Sequence, residues 1–287
     1  MNLRSSAMST PHDTPAPITV RRSGADGIAQ ALRELWQYRD LVFFFALRDI
    51  SVRYKQTVIG VAWALIQPPF STAIFTVVFG HFANLPSNRQ PYALYSFCGI
   101  VIWMAFATTL SGATASVVGE QGMIQKVYYP KLASVLGVVG VALVDNAVQW
   151  LPLAALLFAF GVVPPWTIMI APIFVVWAAL VGVAVGTWLA PINVRYRDVR
   201  YVLPFIIQVW MYASPVAYSS ELVPHRWMWV YVLNPVTPVI DGFRWAVLGV
   251  APASFYMIVP SITVAVAVLA AGIWYFKRME ATFADEI

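Results

Sequence analysis

Apolar and polar positions are spread unevenly along this chain, and the unevenness marks its elements. Residues 28–50, IAQALRELWQYRDLVFFFALRDI, mix the two at helical spacing, with Ile28, Leu32, Leu35 and Trp36 recurring and Arg39 closing the run. The run holds too many charges to cross a bilayer. It predicts an amphipathic interface helix lying among the headgroups, with Phe43, Phe44 and Phe45 turned toward the acyl chains. A changeover follows at 48–69, RDISVRYKQTVIGVAWALIQPP, where Arg48, Arg53 and Lys55 end the polar stretch and no formal charge appears until Arg89. Downstream, six apolar segments, at about 58–82, 94–118, 133–161, 166–190, 200–218 and 254–276, are each read as a membrane span. The fifth is the shortest and holds Pro204 and Pro215.

The stretch 219–253 breaks the pattern. It is rich in aromatics (Trp227, Trp229, Tyr231, Phe243, Trp245) and interrupted by Pro224, Pro235, Pro238 and Pro252. Two pieces, about 226–233 and 237–249, are too short to cross, and predict a pair of re-entrant outer helices between spans five and six. Such a segment either caps a pathway or anchors the chain as an aromatic belt. The fold expected is therefore an all-α polytopic membrane protein of six transmembrane helices. Residues 1–27 form a disordered cytoplasmic tail, 28–55 the interface helix, 56–278 the six-span domain and 279–287 a cytoplasmic C-terminal tail.

Composition agrees. Of 287 residues, 60% are hydrophobic and 11% charged, with a mean hydropathy of +0.71. That leaves too few charges to cover a water-facing surface and no room for a separate soluble enzyme domain. The first residues lack the apolar core of a signal peptide, so the first span is expected to direct insertion. Fifteen of the eighteen lysines and arginines fall before span one, in the loops at 119–132 and 191–200, or after span six; only Arg89, Arg226 and Arg244 fall on the other side. This bias predicts cytoplasmic termini. It also accounts for the net charge of +5 without nucleic acid, which is not expected as a partner. The lone Cys98 excludes an internal disulfide.

Several chemistries are absent. No P-loop, HExxH, CxxC or GxSxG occurs, and His12, His81 and His225 are too scattered for a metal site. Asp145 is the one carboxylate deep in a span, with Asn146 and Gln149 beside it and no basic partner in any span. It is read either as an ion-coupling group or as part of a hydrogen-bonded cluster holding helices together. Gly182 and Gly186, and Gly137 and Gly140, are read as sites of close helix packing. The loop GEQGMIQKVYYPKL at 119–132 can place Met123, Ile124, Val127 and Tyr128 on one face of a short helix. It would then dock in a partner's groove, or serve as a plain connector.

Four strings resemble the membrane subunit of polysaccharide-exporting ABC transporters, which carry O-antigen, capsule or teichoic-acid chains. They are RDISVRYKQTVIGVAWALIQP at 48–68, MIQKVYYPKL at 123–132, NVRYRDVRYVLPFIIQVWMYASPVAY at 193–218 and LNPVTPVIDGFRWAVLG at 233–249, and the likeness covers about residues 30–280. It departs after Pro130, where Lys131, Leu132 and Ala133 replace the usual Arg or Glu and second proline. The resemblance implies a homodimer with two separate nucleotide-binding subunits, which would bind ATP and magnesium, so this chain needs no cofactor. It implies a bacterial inner-membrane location and an undecaprenyl-pyrophosphate-linked glycan as substrate. It further implies a coupling helix over Glu120–Lys131, from which Glu120, Met123, Ile124, Lys126, Val127, Tyr128, Tyr129 and Lys131 would contact the ATPase. The chemistry of Arg48, Arg53 and Lys55 suits pyrophosphate at headgroup depth. Trp63, Trp103, Trp210, Tyr212 and Tyr218 are candidates for stacking on sugars, with lipid-facing placement the plainer alternative for many of them. Two other classes remain beside this one: a membrane glycosyltransferase acting on a polyprenyl lipid, and an ion-coupled transporter relying on Asp145.

Overall fold

A computed structural model describes residues 26–55, 60–124, 129–250, 255–280 and 283. All regular structure among these residues is helical. Two N-terminal helices, α1 (Asp26–Gln37) and α2 (Arg39–Lys55), meet at Tyr38. The single expected interface helix is thus two pieces, and all three of its C-terminal cations stay on it. Next come α3 (Gly60–Phe75), which runs on as a π-helix through Phe82, and α4 (Tyr92–Gly119). A single turn, α5 (Gln121–Ile124), leads to α6 (Leu132–Ala159), and α7 (Ala171–Arg195) follows a short 3₁₀ turn. Then come α8 (Val199–Ala213), the short α9 (Met228–Leu233), α10 (Thr237–Leu248) and α11 (Phe255–Met279).

Five of these segments are long and apolar enough to cross a membrane: Ala62–Phe82, Tyr92–Gly119, Leu132–Ala159, Trp166–Arg195 and Ile258–Met279. The segment expected as span five is the exception. Its helix stops at Ala213 after 15 residues, about 22 Å of rise against a hydrocarbon core of about 30 Å. The chain then turns through Ser214–Ser219, where Pro215 lies. Proline there lacks the N–H a continuing helix needs.

The core is built around α4. Of its most apolar window, 78% is buried inside the chain, against 11% for the segment containing α3. Helix α7 lies on α4 at close range. An added Cβ on Gly186 would come 2.4 Å from Ala113 Cβ, and one on Gly182 would come 2.7 Å from the Phe106 carbonyl oxygen. These two glycines therefore set the approach of the helices, as small residues do in membrane packing. Gly137 and Gly140 have a different partner from a span. Cβ atoms there would lie 2.7 Å from Phe45 Cβ and from Ala46 Cβ, so they seat α2 on α6. Phe45 is fully buried in that seat, contrary to its expected lipid-facing orientation, whereas Phe43, Phe44, Leu32 and Trp36 are exposed. The alternation arises because α2 has protein on one side only.

Helices α9 and α10 form close to the two expected outer pieces. Helix α10 is almost wholly buried. It opens with Pro238 in its first turn and ends on Gly249 at φ +67°, the left-handed stop that glycine adopts without strain.

Candidate functional site

One large groove, of about 1120 Å³, lies between α2, α3, α4, α6 and α8. Its α4 wall is a stripe at helical spacing: Thr108, Ser111, Gly112, Ala115, Ser116 and Gly119. Helix α3 adds Gln67 and Ser71, and α8 adds Gln208 and Tyr212. Small side chains leave room for an occupant, and hydroxyl and amide groups give it hydrogen-bond partners along the apolar bundle.

At one end the groove meets α2, whose Arg48, Asp49 and Arg53 line it together with Glu120. Arg48 Nη2 donates to Asp49 Oδ1 at 2.7 Å and also pairs with Glu120. The Glu120 hydrogen bond, with Asp49 beside it, raises the Arg48 pKa further above its usual value. Arg53 Nη2 donates to Asp145 Oδ2 at 2.7 Å; the arginine side chain is 49% exposed and the carboxylate 7%. The Tyr54 hydroxyl donates to the other Asp145 oxygen. Burial first, and then Asp145, raise the Tyr54 pKa, so it remains a donor at neutral pH. Asp145 thus has a basic partner after all, supplied from outside the candidate spans by α2. On its far side Asn146 Oδ1 accepts from Trp150 Nε1 at 3.2 Å. Among the described residues Asn146 Nδ2 and Gln149 Oε1 have no hydrogen-bond partner.

The structure brings together some of the sequence candidates and separates others. Arg48 and Arg53 share the groove mouth, while Lys55 is exposed at the end of α2 and does not line it. Trp103 and Tyr212 line the groove. Trp63 points outward from α3. Trp210 packs edge-on against Phe106 with ring centroids 5.0 Å apart, and its Nε1 donates to Asn234 Oδ1 at 3.2 Å. Tyr218 bonds to the Tyr212 carbonyl at 3.1 Å and to the Tyr231 hydroxyl. These last two are structural contacts of the end remote from Arg48.

The expected coupling residues divide similarly. Lys126, Val127 and Tyr128 lie outside the described residues, and Met123 and Ile124 belong to the one-turn α5. Glu120 is buried against Arg48. Tyr129 is turned inward onto Phe45, with centroids 5.5 Å apart and burial raising its pKa to about 12. Lys131 Nζ donates to the Glu280 carbonyl at 3.0 Å, and its backbone N–H to Glu280 Oε1 at 3.1 Å. Lys277 then bridges Glu280 to Glu34 of α1 at 3.0 and 2.8 Å. Both ends of the 120–131 segment are therefore tied into the protein.

Sequence reasoning missed Arg244. It is 1% exposed and donates to Val216 O at 2.7 Å, to Tyr95 O and Tyr95 Oη at 3.1 Å each, and to Tyr218 O at 3.4 Å. It lies over the Tyr95 ring at 3.7 Å, and Asp241 stands 3.6 Å away. This clamp joins α10 to α4 and to the turn after α8. Among the described residues no cluster of His, Cys, Asp and Glu could hold a metal ion.

A bundle of apolar helices long enough to cross a membrane, with a groove that carries hydroxyl, amide and charged groups among apolar ones, defines the class as a polytopic membrane protein. Residues 41–248 match the ABC-2 type transporter family, and the chain belongs to it. It is similar to the O-antigen export system permease protein RfbA of Myxococcus xanthus, at 26% identity over 216 residues (74% of this chain, 82% of the relative). It is similar to the protein of the same name in Klebsiella pneumoniae, at 23% identity over 71% of this chain and 79% of the relative. The polysialic acid transport protein KpsM of Escherichia coli is 19% identical over 70% of this chain and 79% of its own length.

Proposed function

We propose that the chain is the permease subunit of an ATP-driven exporter that moves a lipid-linked cell-surface polysaccharide across a bacterial inner membrane. It works as a homodimer with two copies of a separate nucleotide-binding subunit, and both termini are cytoplasmic. The observation that carries the reading is the groove: a hydroxyl- and amide-lined wall along the spans, opening at one end on Arg48 and Arg53. The names of the relatives support the same cargo class for this chain.

The chemistry follows from the residues. A pyrophosphate headgroup carries more charge than a phosphodiester and suits arginine forks at the membrane surface. Sugar hydroxyls hydrogen-bond to Thr108, Ser111, Ser116, Gln67 and Gln208, and sugar C–H faces stack on Trp103 and Tyr212. The outer helices α9 and α10 close the exit. Closure of the ATPase pair pushes on the 120–131 segment, and its ties to α2, α1 and α11 spread that push through the bundle.

The test is glycan export in cells lacking the chain and complemented with variants. Wild type restores export; Arg48→Ala and Arg53→Ala insert normally but export less. Normal export by both variants would refute the cationic role, and export by proteoliposomes containing this chain alone would refute the ATP-driven reading.

A further inference from the structure

The cations at the groove mouth are already occupied by the protein's own carboxylates, and the pairing is asymmetric. Asp145 is 7% exposed and fixed on α6, with Tyr54 holding its second oxygen, while Arg53 is 49% exposed on the surface helix. Glu120 is similarly buried, and its partner Arg48, 30% exposed, also pairs with Asp49, which is 26% exposed. In each pair the carboxylate is the more buried member and the cation lines the groove; Asp145 lies off that lining, and Glu120 touches it beside Arg48. A structural bridge needs no such polarity, and a bare phosphate site would leave the arginines open to any lipid phosphate. Phospholipid headgroups surround this site in great excess, so an uncompensated arginine pair would be filled by them.

We propose that Asp145 and Glu120 are specificity-determining placeholders: internal anions that neutralise Arg53 and Arg48 until a headgroup of higher charge displaces them. A phosphodiester brings one negative charge and gains little by replacing a carboxylate already in place. A pyrophosphate brings at least two and can draw both guanidinium groups away from their partners. Discrimination then comes from what the site makes costly for the wrong lipid. This rests on the cationic role proposed above for Arg48 and Arg53 and names the residues that make it selective. Asp145 is in this account a positioning residue for Arg53, and the buried Asn146 and Gln149 below it keep its surroundings polar.

The experiment measures binding of undecaprenyl pyrophosphate to the permease–ATPase complex in phosphatidylethanolamine nanodiscs, with and without added phosphatidylglycerol. The wild-type complex binds the pyrophosphate lipid with little competition. In Asp145→Asn, phosphatidylglycerol competes about fivefold more strongly, the scale of one partly exposed ion pair, while undecaprenyl pyrophosphate binds at least as well. Glu120→Gln moves competition the same way through Arg48, and decides the matter alone if Asp145→Asn does not assemble. Arg53→Ala weakens undecaprenyl pyrophosphate binding. If Arg53→Ala binds normally, the cationic role itself fails. If Arg53→Ala weakens binding but neither carboxylate variant changes competition, the placeholder role fails and the cationic role stands. Loss of both lipids in Asp145→Asn and Glu120→Gln also overturns the proposal, because the carboxylates would then be needed for binding.

Discussion

Arg244 is a fully buried guanidinium whose four oxygen acceptors come from Tyr95, Val216 and Tyr218, with Asp241 close by. Replacing it with Met keeps much of the volume but strands these acceptors and the carboxylate. Breaking a buried charged network from one side costs about 3–5 kcal/mol, so Arg244→Met should lower the thermal unfolding midpoint of the detergent-solubilised protein markedly. Arg244→Lys should fail as well, because one ammonium cannot reach acceptors that a planar fork spans. Gly99 belongs to the same prediction. A Cβ there would sit 2.7 Å from Arg244 Nη2 and 2.5 Å from the Val216 carbonyl oxygen, so Gly99→Ala should destabilise in the same assay. The sequence marked Arg244 only as one of three cations on the minority side. Its partners lie up to 149 residues away, and no local spacing announces them. Asp145 was legible as an exception because a carboxylate in an apolar span is rare. Its partner was not legible, since Arg53 reaches it from a helix that lies outside the spans.

At the scale of elements, positions and types of helix were readable, because runs of apolar residues and breaks at Pro and Gly are local signals. The end of α8 at Ala213 was not, since averaged hydropathy continues past it. The groove wall was readable in principle. Thr108, Ser111, Gly112, Ala115, Ser116 and Gly119 repeat at intervals of three and four along α4, a pattern hidden by the surrounding apolar residues. The glycine pair on α7 gives a sharp test. Ala113 Cβ is fixed to the backbone of α4 and cannot swing away, so Gly186→Val must push the helices apart. Overpacking of this kind costs about 1–3 kcal/mol. Thermal unfolding of Gly186→Val should show that loss, while Gly161→Ala, where an added Cβ meets nothing but φ is +64°, should show only the smaller cost of left-handed backbone.

For the whole molecule, two helices have little protein around them. Helix α8 buries only Leu203 and exposes Tyr201, Val202, Phe205, Ile206, Val209 and Tyr212, and α3 exposes Ile66, Phe70 and Ile74. Both flank the groove. In the proposed homodimer the second copy covers this side and closes the groove into a conduit. Cys98 is fully buried, so a cysteine placed at Val209 would be the one readily reached by reagents. Val209→Cys should form cross-linked dimers in membranes, and Leu151→Cys, exposed on α6, should not. Equal cross-linking at the two positions would place the partner elsewhere.

The seat of α2 on Gly137 and Gly140 of α6 has a consequence for how the chain is made. Phe45 and Ala46 leave the ribosome some ninety residues before the surface that receives them, a delay on the order of ten seconds at ordinary elongation rates. Through that interval α2 lacks its seat on α6, and Phe45, fully buried in the finished fold, has no glycine surface to cover it. Biogenesis of the collar is therefore necessarily late: it can snap shut only once the third long hydrophobic helix has been released from the translocon.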